Sequence, residues 1–316
     1  MSFDLPPQLK AAVLQERAAG GLAGKARSLS AHYRAGGASN QGIDLGAYLA
    51  ARLPATYAAV ARVLAELKAR RPDFAPASLL DAGAGPGTAS WAAAEQWPDL
   101  ARIAFLDNHR GFLDLAKRLA AASGHAGLAG AHAMVGDLER PVTAAPADLV
   151  IAAYALAELP EARAGAAAAA LWRASSDVLA IVEPGTPQGY GRILAARAAL
   201  IGAGAHLLAP CPHAGPCPLA SPDWCHFSVR LARSRDHMHA KAARVPFEDE
   251  KFAYLIAART PAGPAAARIL APPRHGKAGI ALKLCTPAGL EGRMIASRDR
   301  DAYKRARKLD WGDTIS

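Results

Sequence analysis

The 316-residue sequence predicts an α/β fold in which helices cover both faces of a parallel sheet. Short apolar segments alternate with helix-length segments from residue 78 to residue 185, and this alternation is typical of parallel sheets. The first apolar segment ends in a glycine-rich turn, a feature of doubly wound sheets. Apolar residues make up 52% of the chain and charged residues 20%, as expected for a globular protein rather than a disordered one.

The chain up to residue 75 predicts a helical N-terminal extension. Apolar residues recur every three or four positions in segments 5–20 and 48–71, which is the spacing of one helix face. Pro54 should kink or divide the second helix, because its ring cannot continue the helical hydrogen-bond pattern. A proline-rich break over 70–78 then leads into the alternating region.

The alternating region, residues 76–205, predicts a Rossmann-like domain of five strands with helices between them. Apolar runs bounded by turn-forming residues mark the strands, and longer alanine-rich segments mark the helices. The predicted strands are 78–83, 102–108, 132–137, 147–154 and 177–185, and the predicted helices are 87–97, 110–122 and 161–174.

Two smaller regions complete the predicted organisation. Residues 206–250 form a cysteine-rich segment with little apolar periodicity, and residues 251–316 form a small β-containing region with a basic tail. Strand-like runs occur in the second of these regions, and its tail is expected to be helical. The runs are 251–259, 279–286 and 292–297, and the tail is 301–313.

The positive charge of the chain is concentrated in its C-terminal third. Residues 1–220 hold 19 Lys and Arg against 17 Asp and Glu, a net charge of +2, and residues 221–316 hold 18 against 10, a net charge of +8. Such a patch favours a polyanionic partner, most commonly RNA, over the alternative of a generally basic soluble surface. The basic stretches are 233–244, 272–277 and 304–308, with Tyr303 and Trp311 nearby for stacking on bases.

The strongest local signal is the turn after the first predicted strand, which reads Asp81-x-Gly83-x-Gly85-x-Gly87. Glycines suit a tight turn that a ligand approaches closely. The spacing differs from the G-x-G-x-x-G dinucleotide fingerprint. With the preceding acid, it resembles motif I of the class I S-adenosylmethionine-dependent methyltransferases. The alternatives are a nicotinamide or flavin Rossmann domain, or a glycine turn without a ligand.

That resemblance implies a cofactor site along three strand ends. In these methyltransferases the glycine turn holds the methionine part of the cofactor. An acid after the second strand binds the ribose hydroxyls, and an acid after the third strand lies near the adenine. Asp107 and Asp137 stand at these two positions. The implied cofactor-binding set is Asp81, Gly83, Gly85, Gly87, Asp107 and Asp137.

No catalytic residue for methyl transfer can be assigned from the sequence. Residues 152–160, after the fourth predicted strand, lack the Asn/Asp-Pro-Pro-aromatic motif of base N-methyltransferases. No cysteine stands near the strand ends to act as the nucleophile of cytosine C5 methylation. Tyr154 and Glu158 face the substrate region of such a fold, but a structural role is favoured for both, because no acid–base partner stands beside them.

Three of the four cysteines lie within fifteen positions, in a segment that also contains proline and histidine. They include no C-x2-C pair of the kind typical of zinc ribbons, and two of them precede proline, as is familiar around iron–sulfur clusters. The pattern predicts a site of four thiolates, with a [4Fe–4S] cluster favoured over zinc and four unligated thiols as the alternative. The candidate ligands are Cys211, Cys217, Cys225 and Cys285, with His213 and His226 as substitutes in a zinc site.

Six segments together carry a more specific resemblance, namely 48–60, 79–90, 182–189, 211–219, 224–231 and 251–259. They resemble the methyltransferase-like proteins associated with the small ribosomal subunit, known from mitochondria and with bacterial relatives. The resemblance implies a class I (Rossmann-like) methyltransferase fold with a cysteine-rich metal-binding insert. It also implies a role in small-subunit assembly or maturation, contact with its rRNA and proteins, and an iron–sulfur site held by the four cysteines.

Two functions remain open from the sequence. One is a small-subunit assembly factor that binds rRNA and holds S-adenosylmethionine for structural or regulatory reasons, and the other is an active S-adenosylmethionine-dependent rRNA methyltransferase. A radical enzyme is less favoured, because the usual C-x3-C-x2-C motif is missing. The N-terminus has no signal-peptide or transit-peptide character, and the apolar run 147–159 is too short to span a membrane. A cytoplasmic location is therefore expected, with no membrane or DNA partner.

Overall fold

The computed structural model describes residues 3–19, 45–140, 145–233, 238, 245–263 and 267–315. Three helices precede the first strand: α1 (Pro7–Ala19), α2 (Leu45–Ala51) and α3 (Leu53–Arg70). Pro54 lies in the first turn of α3, where its missing amide hydrogen has no partner to lose, and the helix predicted over 48–71 divides there.

Among these residues, the main sheet contains eight strands with helices between them. The strands are β1 (Ser78–Ala82), β2 (Arg102–Asp107), β3 (His132–Val135), β4 (Ala147–Ala153), β5 (Ser175–Pro184), β6 (His206–Ala209), β7 (Phe227–Ala232) and β8 (Phe247–Ala258). The helices are α4 (Thr88–Gln96), α5 (Arg110–Ala121), α6 (Ala126–Ala129), α7 (Ala164–Arg173) and α8 (Pro187–Gly202), with 3₁₀ turns at Leu156–Glu158 and Glu161–Arg163. The five strands and three helices predicted for residues 76–205 are all present.

The strand order β3-β2-β1-β4-β5-β8-β6 gives a doubly wound, Rossmann-like sheet. Strands β1 to β5 run parallel, and β8 runs antiparallel to β5. From β1 the chain moves outward to β2 and β3, then returns to β4 on the other side of β1. The carboxyl ends of β1 and β4 therefore flank the switch point, where ligands of open α/β sheets bind.

Separate hydrophobic cores bury the two faces of the main sheet. Helices α3, α4 and α5 pack on one face, while α7 and α8 pack on the other. Ala58, Ala93 and Ala196 are fully buried, and their small side chains let the helices approach closely. Leu64 and Leu67 of α3 are also fully buried, and each contributes about 2 kcal/mol by leaving water.

The cysteine-rich segment lies between two strands, β6 and β7, that both pair with β8. Strand β6 pairs with one end of β8, where Ala209 lies opposite Ile256. Strand β7 pairs with the other end, where Phe227 lies opposite Phe252. Both strands run antiparallel to β8, so residues 210–226 leave the sheet edge and then return to it. The main sheet thus takes in three strands beyond residue 205.

A second sheet of five strands follows in the described residues. It consists of β9 (Ala267–Ile269), β10 (Arg274–Gly276), β11 (Gly279–Thr286), β12 (Gly289–Ala296) and β13 (Thr314–Ile315), with helix α9 (Arg300–Ala306) beside it. The order is β10-β11-β9-β13, and β12 pairs with β11. Ile269, Ile280 and Leu284 form its core together with Ala306 of α9.

Some sequence predictions concern segments that lie outside the described residues. Residues 20–44 of the predicted N-terminal extension are among them. So is the basic stretch 233–244, apart from Arg233 and Met238. In the part of the chain that is described, no helix combines the length and the apolar character needed to cross a membrane.

Candidate functional site

The glycine-rich turn lies at the carboxyl end of β1, beside the switch point. Gly83, Gly85 and Gly87 all have positive φ angles, of 72°, 52° and 78°. A Cβ atom on Gly83 would lie 2.5 Å from the Cβ of Ala155, so a side chain there would collide with the segment that follows β4. A Cβ atom on Gly85 would meet nothing nearer than the Tyr48 hydroxyl oxygen at 3.7 Å. Gly85 therefore presents backbone to an open space in which a ligand can approach.

Asp107 ends β2 and holds the glycine turn in place. Its Oδ2 accepts a hydrogen bond of 2.8 Å from the Gly85 amide, and its Oδ1 accepts one of 2.8 Å from the His109 amide. Burial raises the pKa of this carboxyl, and the two amide hydrogen bonds oppose that rise. Each oxygen has a second lone pair, so Asp107 can still accept hydrogen bonds from a ligand.

The other two predicted acids lie on either side of this arrangement. Asp81 is buried beneath the turn, where its Oδ2 accepts hydrogen bonds from the Ser90 amide at 3.0 Å and the Ser90 hydroxyl at 2.8 Å. Burial raises the pKa of Asp81 to about 7. Asp137 is half-buried beyond the end of β3 and accepts a hydrogen bond of 2.9 Å from the Glu139 amide. The structure thus places the six predicted cofactor residues along the carboxyl ends of three adjacent strands.

Tyr154 follows β4 and takes a left-handed backbone conformation, with φ of 60°. Its hydroxyl donates a hydrogen bond of 2.8 Å to Oε1 of Glu250, and Arg52 donates one of 3.4 Å to the same oxygen. The Arg52 guanidinium lies 5.1 Å from the centre of the Tyr154 ring. Burial and the Glu250 carboxylate raise the pKa of Tyr154 well above its ordinary value. The partner of Tyr154 is thus supplied by β8, which sequence reasoning did not anticipate.

Glu183, near the end of β5, is a second acid that sequence reasoning missed. It is completely buried. Its Oε1 accepts a hydrogen bond of 2.9 Å from the Leu156 amide, and its Oε2 has no hydrogen-bond partner. Burial raises the pKa of Glu183 to about 8, with a contribution from the neighbouring Glu158. Glu183 is therefore mostly protonated at neutral pH, and the predicted candidate Glu158 acts on it as a nearby negative charge.

All four cysteines line one cavity, with a volume of ≈ 540 Å³ including its open mouth. Cys211, Cys217 and Cys225 come from the segment that leaves the main sheet, and Cys285 comes from β11 of the second sheet. The remaining wall includes residues of α8, of β8 and of β9. The packing of the two sheets therefore brings Cys285 to the same cavity as Cys225, which lies sixty positions earlier in the chain.

The surroundings of the cavity raise the pKa values of three of the four thiols. Burial raises the pKa values of Cys211 and Cys225 and raises that of Cys285 to about 11. The neighbouring thiols raise these values further, because each disfavours a second negative charge nearby. Arg197 opposes the rise at Cys211 through its charge and a hydrogen bond. The four sulfurs are thus close enough for their charges to interact.

Two buried arginines form part of the wall of this cavity. Arg197 of α8 donates hydrogen bonds from Nη2 to the carbonyl oxygens of His213 at 2.8 Å and Gly215 at 2.7 Å. Arg268 of β9 is 1% exposed and holds three parts of the chain together. It donates hydrogen bonds to the Pro210 carbonyl at 3.1 Å, the Gly312 carbonyl at 2.6 Å and Oε1 of Glu66 at 2.8 Å.

The two histidines of the segment lie in different places. Nε2 of His213 is 3.6 Å from the Cys285 sulfur, and His213 lines the cavity. His226 instead stacks on Trp224, with ring centres 4.9 Å apart, and contacts Trp311 edge-on. No group of three or more His, Cys, Asp or Glu side chains among the described residues is arranged to hold a metal ion.

Comparison with known proteins identifies a family that matches this chain and a human relative. Residues 43–316 match the family described as "Mitochondrial small ribosomal subunit Rsm22". The human protein "Ribosome assembly protein METTL17, mitochondrial" is 30% identical over 298 residues, which cover 87% of this chain and 63% of that protein. The chain therefore spans less than two thirds of the length of this relative.

Similar solved structures include two methyltransferases. One is magnesium protoporphyrin IX methyltransferase from Synechocystis PCC 6803 with bound SAM, which is 20% identical with a TM-score of 0.42, covering 64% of this chain and 78% of that chain. The other is a TehB-like SAM-dependent methyltransferase from Corynebacterium glutamicum, which is 17% identical with a TM-score of 0.40, covering 64% of this chain and 88% of that chain.

Proposed function

Because the chain belongs to the mitochondrial small ribosomal subunit Rsm22 family, we propose that it is an assembly factor of the small ribosomal subunit. In this proposal it binds rRNA and S-adenosylmethionine and carries a [4Fe–4S] cluster. The observation that carries the proposal is the cavity that three cysteines of the segment between β6 and β7 line together with Cys285 of β11. The human relative is named as a mitochondrial protein, and we keep the cytoplasm as the proposed location of this chain.

The donor set of the cavity fits an iron–sulfur cluster. Four thiols from distant parts of the chain line one cavity. A four-iron cluster takes one thiolate at each of its irons, which matches a cavity lined by four cysteines. The preference for the cluster over zinc comes from the sequence, in which the cysteines form no C-x2-C pair and two of them precede proline.

A group held by all four cysteines would join the two sheets. Three cysteines belong to the segment between β6 and β7, and Cys285 belongs to β11. The second sheet also carries the exposed cations of α9 and the turn after it, namely Lys304, Arg305, Arg307 and Lys308. These cations are suited to rRNA phosphates. Occupation of the cysteine cavity would therefore fix the basic surface relative to the Rossmann-like sheet.

The glycine turn fits the methionine and ribose parts of S-adenosylmethionine. The open space beside Gly85 lets the cofactor approach the backbone, and Asp107 has lone pairs left to accept the ribose hydroxyls. Asp81 supports the turn from beneath through Ser90. The bound cofactor would supply an electrophilic methyl group at the switch point between β1 and β4.

One observation favours the second candidate function, an active rRNA methyltransferase. Tyr154 keeps a strained backbone conformation beside the crevice, and its hydroxyl is held by Glu250. Strain of this kind is retained mostly at functional sites. A tyrosine in this position could orient a target base beside the cofactor.

The first experiment measures iron, sulfide and zinc in protein purified without oxygen. We expect about four irons and four sulfides in each chain, and their loss in Cys217→Ser. One zinc without iron would replace the cluster in the proposal with a structural zinc site. Protein without metal would contradict the metal site altogether.

The second experiment separates the two functions. Cluster-containing protein is incubated with small-subunit precursor particles and S-adenosylmethionine labelled in the methyl group. An assembly factor binds the particles and leaves the rRNA unlabelled. Label in rRNA that approaches one methyl group per particle, and that is lost in Tyr154→Phe, would instead establish the methyltransferase.

A further inference from the structure

We propose that Arg197 and Tyr190, both on α8, set the charge balance of the metal site. Arg197 would be its buried counter-cation, and Tyr190 would be the hydrogen-bond donor to one of its thiolates. The inference rests on the proposed cluster and assigns the residues that determine how readily it accepts an electron.

The case for Arg197 begins with its burial and its partners. Its side chain is part of the cavity wall, and the residue is 6% exposed. Its Nη2 donates to two backbone carbonyls, and its Nε has no hydrogen-bond partner. None of the carboxylates in the described part of the chain forms an ion pair with it, whereas Arg268 on the same cavity has Glu66.

A buried cation without a carboxylate partner is costly unless a negative charge lies close to it. The thiols of the cavity supply that charge when a metal group holds them as thiolates. An iron–sulfur cluster with four thiolates is anionic, and each added electron makes it more so. The position of Arg197 thus suits an anionic occupant of the cavity.

Tyr190 supplies a directed contact to one sulfur. The Tyr190 hydroxyl oxygen lies 3.1 Å from the Cys217 sulfur, and the tyrosine is 9% exposed. A thiolate has no hydrogen to give, so the tyrosine must be the donor when Cys217 is a ligand. Hydrogen bonds to cluster sulfurs stabilise the more negative state and raise the reduction potential.

Helix α8 holds these two side chains on one face and a third polar residue on another. Tyr190 and Arg197 are seven positions apart, close to two helical turns, so both face the cavity. Arg192 points away and donates a hydrogen bond of 3.0 Å to the Leu159 carbonyl. Arg192 is therefore a matched control, an arginine of the same helix that does not line the cavity.

The test is a redox titration of the cluster in the full-length protein. Dithionite supplies the electrons, and absorption and electron paramagnetic resonance report the fraction reduced. Compared with the wild-type protein, we expect a lower midpoint potential in Tyr190→Phe and Arg197→Gln, and little change in Arg197→Lys and Arg192→Gln. Iron and sulfide are measured in each sample, so that the potentials compare equally loaded proteins.

The outcomes test the roles of Arg197 and Tyr190 separately from the proposed cluster. Equal potentials in Tyr190→Phe and Arg192→Gln, with iron retained in both, would overturn this inference and leave the proposed cluster standing. Loss of iron in Arg197→Gln that Arg197→Lys prevents would support the counter-cation role, and Tyr190→Phe would then test the potential. Wild-type protein without iron would overturn both the inference and the cluster.

Discussion

Gly85 and Asp107 are joined by a hydrogen bond of 2.8 Å from the glycine amide to the aspartate Oδ2. The bond links the turn after β1 to the end of β2, so the backbone proposed to receive the methionine part of a cofactor also fixes the acid proposed to bind its ribose. The His109 amide holds the other oxygen of the same carboxylate. These two hydrogen bonds hold the Asp107 carboxylate in one orientation.

The first prediction concerns the open space beside Gly85. Gly85→Ala places a methyl group where the cofactor would approach, and we expect the affinity for S-adenosylmethionine to fall by more than about tenfold, or about 1.4 kcal/mol. An alanine at this positive φ also lowers the free energy of unfolding by about 1 kcal/mol. Isothermal titration calorimetry measures the affinity. The control is Gly124→Ala, where φ is 69° and a Cβ meets nothing within 4 Å. Equal affinities in the two variants would contradict the placement of the cofactor.

The second prediction concerns pH. The pKa of Glu183 is raised from 4.5 to about 8, so the folded state binds a proton that the unfolded state releases above pH 4.5. The stability that this proton provides is complete below pH 4.5 and is lost as the pH rises through 8. Glu183→Gln keeps a neutral side chain at every pH. We expect its free energy of unfolding, relative to wild type, to increase by about 2 kcal/mol between pH 6 and pH 8.

Urea unfolding at the two pH values measures this difference. Glu95→Gln, at an exposed position of α4, is the control and should leave the pH dependence unchanged. A pH dependence in Glu183→Gln that matches wild type would mean that Glu183 does not titrate in this range.

The third prediction concerns the buried arginine that joins α3, the cysteine-rich segment and the C-terminal segment. Arg268→Met leaves the Pro210 and Gly312 carbonyls without this donor, and it leaves the Glu66 carboxylate with only its longer ion pair to Arg62, at 3.8 Å. We expect a loss of stability of about 3–5 kcal/mol, as is usual when one partner of a buried ion pair is removed. Chemical denaturation followed by circular dichroism measures it. Arg293→Met breaks the surface pair with Glu291 and should cost less than about 1 kcal/mol. Similar losses in both variants would refute the structural role of Arg268.

The fourth prediction concerns RNA binding through the basic end of the chain. Replacing exposed Lys304 and Lys308 with glutamine should weaken binding to small-subunit rRNA. The slope of log affinity against log salt should fall by roughly 0.7 to 0.9 for each phosphate that the variant no longer binds. Filter binding over a series of salt concentrations measures both quantities. Lys10 and Lys117, exposed on α1 and α5, give a double glutamine variant with the same change in net charge. Equal effects of the two double variants would indicate binding by overall charge rather than by this surface.

Local sequence patterns predicted the Rossmann-like part of the fold well. The runs at 78–83 and 102–108 became β1 and β2 because alternating apolar strands and helices leave few arrangements other than a parallel sheet. The sequence did not predict β6 and β7. Each is short, and each is stabilised by pairing with β8, where Ile256 lies opposite Ala209 of β6 and Phe252 lies opposite Phe227 of β7. Pairing of this kind has little local signal.

The candidate site residues are predictions made from the sequence alone: the glycines of the turn, the acids at the end of β2 and after β3, and the four cysteines. Their types and spacings are local properties, and a glycine-rich turn or a thiol beside proline is visible without a structure. What surrounds these residues depends on the folded chain. The packing of two sheets brings Cys285 to the other three cysteines, and the face of α8 places Arg197 and Tyr190 on their cavity. β8 supplies the Glu250 partner of Tyr154. These contacts join residues far apart in the chain, and their energies depend on burial and distance, which exist only once the chain has folded.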